Sequence, residues 1–250
     1  MNIKWNADKY NQDFTFVNQY GRDLFEMIDG EGLSVLDLGC GDGKLTKTLN
    51  DLGFIVEGME ASKDMLEIAK SNYPEIKFFL SDATDFAINE KYDVVFSNAV
   101  FHWIDSDKQS KMLQNVYNAL KKNGQFVFEF GGYGNNALIH NALKIEFEKR
   151  SLTYVMPFYF PTIGEYAALL EKAGFLVRNA ILFERPTELK GENGLYNWIK
   201  MFVKTPFINV EKTTEIKIIN AAISSLKPIL FKDGKWYADY VRLRCKAIKS

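Results

Sequence analysis

The amino-acid sequence predicts a fold of the α/β class, with a doubly wound and mostly parallel sheet. Over the first two-thirds of the chain, short β-branched or aromatic runs alternate with helical patterns, as in βαβ units. A glycine-rich stretch, VLDLGCGDGKLT (35–46), includes the end of the first apolar run, where such folds turn from a strand into a helix. With 250 residues, of which 47% are apolar and 25% charged, the chain is long enough for one large domain.

Five apolar runs are predicted to form strands. They are SVLDL (34–38), FIVEGME (54–60), IKFFLS (76–81), DVVFSN (93–98) and QFVFEF (125–130). Between them apolar residues recur at helical spacing, for example Met65, Ile68 and Ala69. Ser62 is a predicted helix start, and the run from Lys121 to Gly124 is a predicted helix end.

The last third of the chain changes in composition. After Gly132 come the aromatic run YVMPFYFP (154–161), a helical pattern over 162–173 and a further strand, FLVRNAILFE (175–184). We expect residues 133–160 and 186–235 to cover the sheet edge where the strands end, because open α/β sheets bind ligands there. Residues 1–250 then form a single domain with these two segments as a cap.

Charge and cysteine content narrow the function. Lys and Arg number 31 against 32 Asp and Glu, and the net charge of -1 gives no electrostatic attraction for nucleic acid. The start MNIKWNADKYNQDF lacks a secretory signal, and no segment approaches the roughly 18 apolar residues of a membrane span, so a cytoplasmic protein is expected. Cys40 and Cys245 have no metal-ligand spacing, so neither a metal site nor a disulfide framework is predicted.

The glycine loop differs from a dinucleotide-binding loop. Gly39, Gly41 and Gly43 form G-x-G-x-G, and Lys44 stands where the dinucleotide fingerprint has its last glycine. Asp37, two residues before the loop, would repel a pyrophosphate and favour a cationic ligand. The loop therefore predicts a nucleoside ligand without phosphates.

Acidic residues also stand at the ends of the next two strands. Glu60 lies about 20 residues after the first glycine, the spacing at which such folds present an acid to ribose hydroxyls. Asp82 follows the third strand, where it would accept a hydrogen bond from an exocyclic amine. Each acid alone is typical of a solvated strand end, but three at successive strand ends indicate a nucleoside site.

Four segments in order carry a resemblance to a known family. VLDLGCGDGKLT, VEGMEASKDMLEIAK, FFLSDATDF and YDVVFSNAVFHWI resemble the motifs of class I S-adenosylmethionine-dependent methyltransferases, in the small-molecule group that includes trans-aconitate methyltransferase. The resemblance implies a Rossmann-like, seven-stranded sheet with a helical cap, whose final strand, WYADYVRLRCKAI, is antiparallel. It also implies S-adenosyl-L-methionine as the cofactor.

The resemblance assigns cofactor contacts residue by residue. The implied binding residues are Tyr10, Asp37, Gly39, Cys40, Gly41, Glu60, Ala61, Met65, Asp82, Ala83 and Asn98. Asp37 and Gly39 would face the methionine part, Glu60 the ribose, and Asp82 with Ala83 the adenine edge. Ala61 and Met65 would pack on the adenine face, and Asn98 would lie near the methyl group. Trp5 and Tyr10 would belong to an N-terminal segment that closes over the cofactor.

Methyl transfer from a sulfonium requires an aligned nucleophile, exclusion of water and, for some acceptors, a base. His102, beside Trp103, is the first candidate for a base or a substrate contact, because its ordinary pKa lies near neutrality; a structural histidine fits the sequence equally well. Glu129 and Tyr133 complete the predicted catalytic set, Glu129 as proton acceptor or amine anchor and Tyr133 pointing into the same cavity. His140 is predicted to be a partly buried surface residue.

The predicted acceptor is a small molecule, with a carboxylate-bearing metabolite and O-methylation favoured. The stretch NAVF replaces the N/D-P-P-Y/F motif of enzymes that methylate base amines or glutamine amides. Arg242 and Arg244 share one face of the last strand and would suit an acidic acceptor, although exposed edge arginines explain the pair as well. Two alternatives stay open: a protein that binds the cofactor without catalysis, and a nicotinamide-dependent oxidoreductase. The sequence leaves the oligomeric state undetermined.

Overall fold

The computed structural model of the protein describes residues 22–89 and 91–250. Trp5 and Tyr10, to which the resemblance assigns a place over the cofactor, lie outside the described residues. Within the described ranges the strands form two sheets, one of seven strands and one of three.

The strands are numbered in chain order. They are β1 (Ser34–Leu38), β2 (Ile55–Glu60), β3 (Lys77–Leu80), β4 (Tyr92–Asn98), β5 (Leu120–Gly131), β6 (Phe175–Glu184), β7 (Thr187–Leu189), β8 (Phe231–Lys232), β9 (Lys235–Ala238) and β10 (Val241–Lys249). The large sheet has the order β3-β2-β1-β4-β5-β10-β6, and the small sheet the order β7-β9-β8. In the large sheet β10 runs antiparallel to β5 and β6, while the other neighbours pair in parallel. The predicted seven-stranded, mostly parallel sheet with an antiparallel last strand is confirmed.

Seven α-helices connect or cover these strands in the described part of the chain. They are α1 (Lys44–Asp51), α2 (Lys63–Asn72), α3 (Gln109–Ala119), α4 (Ala137–Glu148), α5 (Ile163–Lys172), α6 (Gly194–Phe202) and α7 (Lys212–Leu230). Ser62 caps α2 as predicted, because its hydroxyl accepts a hydrogen bond from the Met65 amide at 3.4 Å. Among residues 22–89 and 91–250, no helix has both the length and the apolar character needed to cross a bilayer.

Helix α3 ends earlier than the sequence predicts. Its last residue is Ala119, and β5 begins at once with Leu120. Residues 121–124 form an irregularity in the pairing of β5 with β4 rather than a helix end, and Asn123 takes a left-handed φ of 63°. The Lys121 ammonium binds the Asp93 carboxylate of β4 at 3.0 Å. This lysine therefore connects two strands.

The closing run WYADYVRLRCKAI forms two strands rather than one. Its first part belongs to β9 in the small sheet and its second part to β10 in the large sheet. Between the two, the Asp239 carboxylate accepts a hydrogen bond from the Leu138 amide of α4 at 2.7 Å. The chain turns at Asp239 because this residue caps a helix far earlier in the sequence, a contact that local strand patterning does not reveal.

Helices pack on both faces of the large sheet. Val116 of α3 and Tyr166 of α5 share one core with Leu36 of β1. On the opposite face, Leu49 of α1 packs against Val94 and other strand residues. Because side chains alternate along a strand, the residue after Leu36 points toward α1 rather than α3.

A further core lies beside the large sheet. It consists of α4, α6, α7 and the small sheet, and its buried members include Phe147, Trp198 and Ile218. Trp198 donates its indole N–H to the Tyr240 hydroxyl at 2.7 Å, which ties α6 to the residue just before β10. The two segments predicted as cap, 133–160 and 186–235, supply these helices. We call this unit the cap.

Candidate active site

The glycine loop turns the chain from β1 into α1. Gly39 and Gly41 take left-handed φ values of 78° and 58°. The amide of Gly39 donates to the Met59 carbonyl at 2.7 Å, which holds the loop against the end of β2. A Cβ on Gly39 would stand 2.3 Å from a methyl carbon of Val100, a distance that real side chains do not reach. The loop therefore requires glycine for its backbone conformation and for this close approach.

The side chain of Cys40 points away from the loop edge. It is 8% exposed and packs with Leu66 and Phe78, and burial raises the pKa of its thiol well above the ordinary value. Any contact that Cys40 makes with a ligand at the loop is left to its backbone. The interpretation of this cysteine as a packing residue agrees with its position.

Glu60, the last residue of β2, is held by backbone amides. One carboxylate oxygen accepts from the Gly41 amide at 3.0 Å. The other accepts from Ala61 at 2.9 Å and Ser62 at 2.8 Å. Burial raises the pKa of Glu60, although these three hydrogen bonds oppose the rise. The carboxylate is thus fixed at the sheet edge, with lone pairs left to accept hydrogen bonds from hydroxyl groups.

Asp37 is a buried carboxyl group at the same edge. It is 2% exposed and accepts a hydrogen bond from the Thr46 hydroxyl of α1 at 2.6 Å. Burial raises its pKa to about 7, against the effect of the Thr46 hydrogen bond, and Glu60 adds to the rise by charge repulsion. A cationic group placed here would favour the ionised form of this acid.

Asp82 and its neighbours continue the edge beyond β3. One Asp82 carboxylate oxygen accepts from the amide and the hydroxyl of Thr84, both at 2.8 Å. Burial acts to raise the pKa of Asp82, but hydrogen bonds, including the two from Thr84, outweigh it and lower the pKa. Met65 is buried, and its methyl carbon lies 3.5 Å from where a Cβ on Gly41 would stand. Asp37, Glu60, Asp82, Met65 and the loop therefore line one edge.

An open cleft lies where β4 ends and the cap begins. Its empty space is about 420 Å³ when the open solvent at its mouth is included. It is lined by Ala99, His102, Trp103, Asn135, Asn136, Phe158, Phe160, Trp198, Phe202, Tyr240 and Arg242. Ala99 directly follows Asn98 and takes a left-handed φ of 62°, so the chain turns sharply out of β4 into the cleft wall. We call this cleft the aromatic cleft.

A wider opening, of about 990 Å³ with open solvent included, lies beside Asp82, Ala83 and Trp103. A third space, lined by His102, Trp103 and Met156 among others, lies between the two. His102 and Trp103 line the aromatic cleft and this middle space, and Trp103 also lines the wide opening. The three spaces are therefore adjacent along the 3-10 turn Phe101–Trp103, and the wide opening includes Asp82 in its lining.

His102 is a buried, neutral imidazole. The Gly131 amide donates a hydrogen bond to its Nδ1 at 3.3 Å, so the ring proton of the neutral form is on Nε2. Burial lowers the pKa of His102 well below its ordinary value, and the positive charge of Arg242 lowers it further. With its ring proton on Nε2, the free ring position of His102 is a donor rather than an acceptor, which disfavours a role as general base. The predicted substrate contact of His102 stays a prediction.

Glu129 is unsuited to the predicted role of proton acceptor or amine anchor. It is 2% exposed and forms ion pairs with Arg185 and Arg244, the latter through two nitrogens at 2.8 Å. Both carboxylate oxygens are thus bound by guanidinium groups of the protein itself. The sequence does not reveal these ion pairs, because both arginines come from segments that are distant from Glu129 along the chain.

Tyr133 does not point into the aromatic cleft. Its side chain is 64% exposed, while its backbone amide donates to the Pro161 carbonyl at 2.8 Å. The prediction that Tyr133 lines the cavity is therefore wrong. The prediction for His140 is also wrong, because this residue is buried within the cap, 5% exposed, with Nδ1 at 2.6 Å from the Tyr154 hydroxyl.

Several cleft residues escape sequence reasoning. Asn135, Asn136, Phe202 and Tyr240 line the aromatic cleft but carry no motif. The signal that was present is the sequence GGYGNN (131–136) at the end of β5, in which small and polar residues follow the buried second part of this strand. In the sequence, Arg242 is distinguished only by its pairing with Arg244. The structure separates that pair, since Arg242 lines the cleft and Arg244 binds Glu129.

Comparison with known proteins agrees with the geometry. Residues 35–124 match a methyltransferase-domain family. The chain is 30% identical to an uncharacterised methyltransferase of Schizosaccharomyces pombe, over 98% of both chains, and 30% identical to trans-aconitate 2-methyltransferase of Mycolicibacterium gilvum, over 78% of both. A phosphoethanolamine N-methyltransferase of Haemonchus contortus, solved with S-adenosyl-L-methionine, superposes with a TM-score of 0.58 at 16% identity, over 99% of this chain and 60% of that one; this shows a common fold.

The chain belongs to the S-adenosylmethionine-dependent methyltransferases. The residues of this methyltransferase fit its cofactor, as the chemistry of the acidic edge shows. S-Adenosylmethionine carries a sulfonium, an ammonium and a nucleoside without phosphates. The edge offers a buried acid in Asp37 and an anchored carboxylate in Glu60, and its glycine loop ends in Lys44 instead of the third fingerprint glycine. A dinucleotide pyrophosphate would meet two carboxyl groups at the same place.

Proposed function

We propose that this methyltransferase transfers a methyl group to a carboxylate oxygen of a small acceptor with an apolar body. The observation that carries the proposal is the position of Arg242. Its side chain is 6% exposed, lines the aromatic cleft, and its guanidinium carbon lies 4.3 Å from the centre of the Tyr240 ring. A guanidinium held among aromatic walls favours an anion with an apolar body.

The second support comes from His102 and Glu129, the two residues that the sequence suggests as proton acceptors. His102 presents an N–H to the cleft, and Glu129 is bound by two arginines. A carboxylate acceptor is already ionised at neutral pH, so it needs hydrogen-bond donors and no base. An alcohol or a protonated amine would have to lose a proton during transfer. Arg242 and His102 supply the donors that a carboxylate requires.

The acidic edge is proposed to hold the cofactor in one orientation. Asp37 and Gly39 would bind the methionine part, Glu60 the ribose hydroxyls, and Asp82 with Ala83 the adenine edge. The fixed position of Glu60, held by three backbone amides, supports its share. When bound, the cofactor supplies a methyl group on a sulfonium, whose sulfur leaves as a neutral thioether. Asn98 ends β4 and the next residue, Ala99, lines the aromatic cleft, which supports a junction of the two sites at this strand end.

One relative adds support for the acceptor class. Trans-aconitate 2-methyltransferase is named for an acceptor that carries carboxylates, and it is 30% identical to this chain over 78% of both. The aromatic cleft, however, is lined by six aromatic side chains besides His102: Trp103, Phe158, Phe160, Trp198, Phe202 and Tyr240. This lining favours an acceptor with more apolar surface than a small polycarboxylate.

The test measures S-adenosylhomocysteine formation with matched acceptors. Aryl-carboxylates and trans-aconitate are compared with the corresponding alcohols and amines, and the product is identified by mass spectrometry. We expect esters only from the carboxylates. Arg242→Met is expected to lower kcat/KM about 100-fold, because a charge-assisted hydrogen bond of about 1.5–3 kcal/mol is lost. Binding of S-adenosylhomocysteine to this variant should be unchanged.

The matched control is Arg178→Met, since Arg178 is an exposed arginine of β6 outside the cleft. Preferential methylation of an amine or alcohol, or equal kcat/KM for the Arg242→Met and Arg178→Met proteins, would overturn the proposed acceptor.

A further inference from the structure

We propose that the side-chain amide of Asn136 is a second recognition point in the aromatic cleft, which accepts a hydrogen bond from a hydroxyl group on the acceptor. This inference rests on the proposed function, since it concerns the same acceptor. Asn136 is 2% exposed and lines the cleft. Its amide oxygen is buried and has no hydrogen-bond partner among residues 22–89 and 91–250.

Asn136 stands at the N-cap of α4 without serving as its cap. An asparagine at this position usually accepts a hydrogen bond from the first helical amides. Here no side-chain cap hydrogen bond forms, and the Leu138 amide is bound by the Asp239 carboxylate at 2.7 Å instead. The structure therefore gives the Asn136 side chain no part in holding the helix.

The backbone of Asn136 is held by hydrogen bonds, whereas its side-chain oxygen has no partner in the described part of the chain. Its amide N–H donates to the Asp239 carbonyl at 2.8 Å, and its own carbonyl accepts from the His140 amide at 2.9 Å. The backbone of Asn136 lies in the left-handed region, with a φ of 54°, whereas N-cap residues usually have extended backbone. The preceding Asn135 differs, because its side-chain oxygen accepts from the Val241 amide at 2.9 Å. Asn135 is thus explained by structure, and Asn136 is not.

His140, one helical turn later, adds a second unpaired atom on the same side of α4. Its Nε2 is buried and lacks a partner within the described residues. Its ring centre lies 5.4 Å from that of Phe158 and 6.4 Å from that of Trp198, two residues of the cleft. Burying a polar atom without a hydrogen bond is unfavourable. Such a cost beside a binding cleft is offset when a ligand supplies the missing partner.

The hydroxyl is the group that matches the unpaired oxygen. An amide oxygen accepts hydrogen bonds and cannot donate one. Arg242 and His102 supply donors elsewhere in the cleft, so a bound acceptor would present its carboxylate to these two residues and a donor group to Asn136. The acceptor class is therefore a hydroxylated carboxylate with an apolar or aromatic body.

The experiment compares probe pairs that differ by one hydroxyl. The probes are phenylacetate and 4-hydroxyphenylacetate, the phenylpropanoate pair that is one methylene longer, and the methyl ester of each. Dissociation constants are measured by calorimetry in the presence of saturating S-adenosylhomocysteine. In the wild-type protein, we expect the hydroxylated member of at least one pair to bind about tenfold more tightly.

Asn136→Gly removes the side chain while keeping the left-handed backbone without strain. We expect this variant to bind both members of the pair equally. Asn123→Gly is the control, because Asn123 has a similar φ of 63° but is exposed and lies outside the cleft. Asn136→Asp retains an acceptor oxygen, and we expect it to keep the hydroxyl preference when the uncharged esters are used.

The esters separate the two proposals. A preference for the hydroxylated ester that disappears in Asn136→Gly supports the role of Asn136, because the esters carry no carboxylate. If Arg242→Met has no effect on the carboxylates, that second result overturns only the proposed function. A wild-type protein without any hydroxyl preference, or a preference that persists in Asn136→Gly, overturns the role of Asn136.

Discussion

Asp37 shows how a single residue links the stability of this protein to cofactor binding. Its pKa is raised from 3.8 to about 7, chiefly by burial. In the unfolded chain the same acid ionises near its ordinary value. Between these two pH values the folded protein holds a proton that the unfolded chain has lost, so the free energy of unfolding falls as the pH rises. Above about pH 7 this contribution is constant.

The first prediction concerns Asp37→Asn in the protein without cofactor. The amide keeps an oxygen for the Thr46 hydroxyl but removes the buried charge. We expect the variant to melt at a higher temperature than the wild type, with a difference of a few degrees that grows from pH 5.5 to about pH 7 and then levels off. Thermal unfolding at pH 5.5, 7 and 8.5 measures this. A variant that is less stable at all three pH values would show that the carboxyl is not penalised by burial.

The same substitution is expected to weaken cofactor binding. In the wild type, the affinity for S-adenosylhomocysteine should increase as the pH rises toward 7, because the ionised Asp37 carboxylate would attract the ammonium of a ligand in the proposed orientation. In Asp37→Asn this part of the pH dependence should disappear. Asp51→Asn, in an exposed ion pair at the end of α1, serves as the control and should bind like the wild type. Calorimetric titration at each pH gives the constants.

The element that positions the cofactor site is the turn from β1 to α1. Gly39→Ala is expected to abolish measurable binding of S-adenosylhomocysteine and to lower the melting temperature. The reason is the 2.3 Å approach of the added Cβ to Val100, on top of the strain at a φ of 78°. Gly53→Ala isolates the clash, because Gly53 has a φ of 91° with nothing within 4 Å of its Cβ. The double variant Gly39→Ala/Val100→Ala should recover part of the lost stability.

If Gly39→Ala loses no more stability than Gly53→Ala, the close approach of the loop to Val100 is not a constraint on the fold. Differential scanning fluorimetry of the four proteins decides this, and circular dichroism confirms that each remains folded.

Elements formed by local patterns are the ones that sequence reasoning predicts well. β1 and β6 match their predicted bounds, and Ser62 caps α2, because strand alternation and helix capping depend on neighbours in sequence. The closing run was predicted as one strand because its apolar pattern is continuous. It is broken at Asp239 by the contact with the start of α4, about a hundred residues earlier. Nothing in the local pattern indicates such a contact.

The sequence predicts one half of the candidate site and not the other, for the same reason. The acidic edge was predictable, because Asp37, Glu60 and Asp82 each lie at or just after the end of a strand in a repeating β-α pattern. The aromatic cleft joins segments near residues 99–103, 135–136, 158–160, 198–202 and 240–242, which only the tertiary structure brings together. The sequence suggests a catalytic role for Glu129 because it does not reveal the arginine partners of this residue. These arginines come from β10 and from the residue after β6.

At the scale of the whole molecule, the cofactor edge belongs to the large sheet and the aromatic cleft lies where that sheet meets the cap. Trp103 lies in both environments, as it lines the cleft and the wide opening beside Asp82. The cap has its own buried core, to which Trp198 and Phe202 of the cleft wall belong. A ligand at the sheet edge therefore acts on the stability of the fold through the sheet.

The last prediction measures this effect as a shift in melting temperature. A ligand that binds only the folded protein, at about 100 times its dissociation constant, adds about 2.7 kcal/mol to the free energy of unfolding, or about 5–10 °C for a domain of this size. We expect S-adenosylhomocysteine to give such a shift and NADH to give none. In Glu60→Gln the shift should fall to about 2 °C or less. The substitution replaces one of the two oxygens that bind three backbone amides and that are proposed to bind the ribose. Glu57→Gln, on the same strand but ion-paired with Lys77 and Lys91, is less stable yet should keep the full shift, since the comparison uses the shift and not the absolute melting temperature. A full shift in Glu60→Gln would place the ribose contact on another residue, and a shift with NADH would overturn the assignment of the glycine loop.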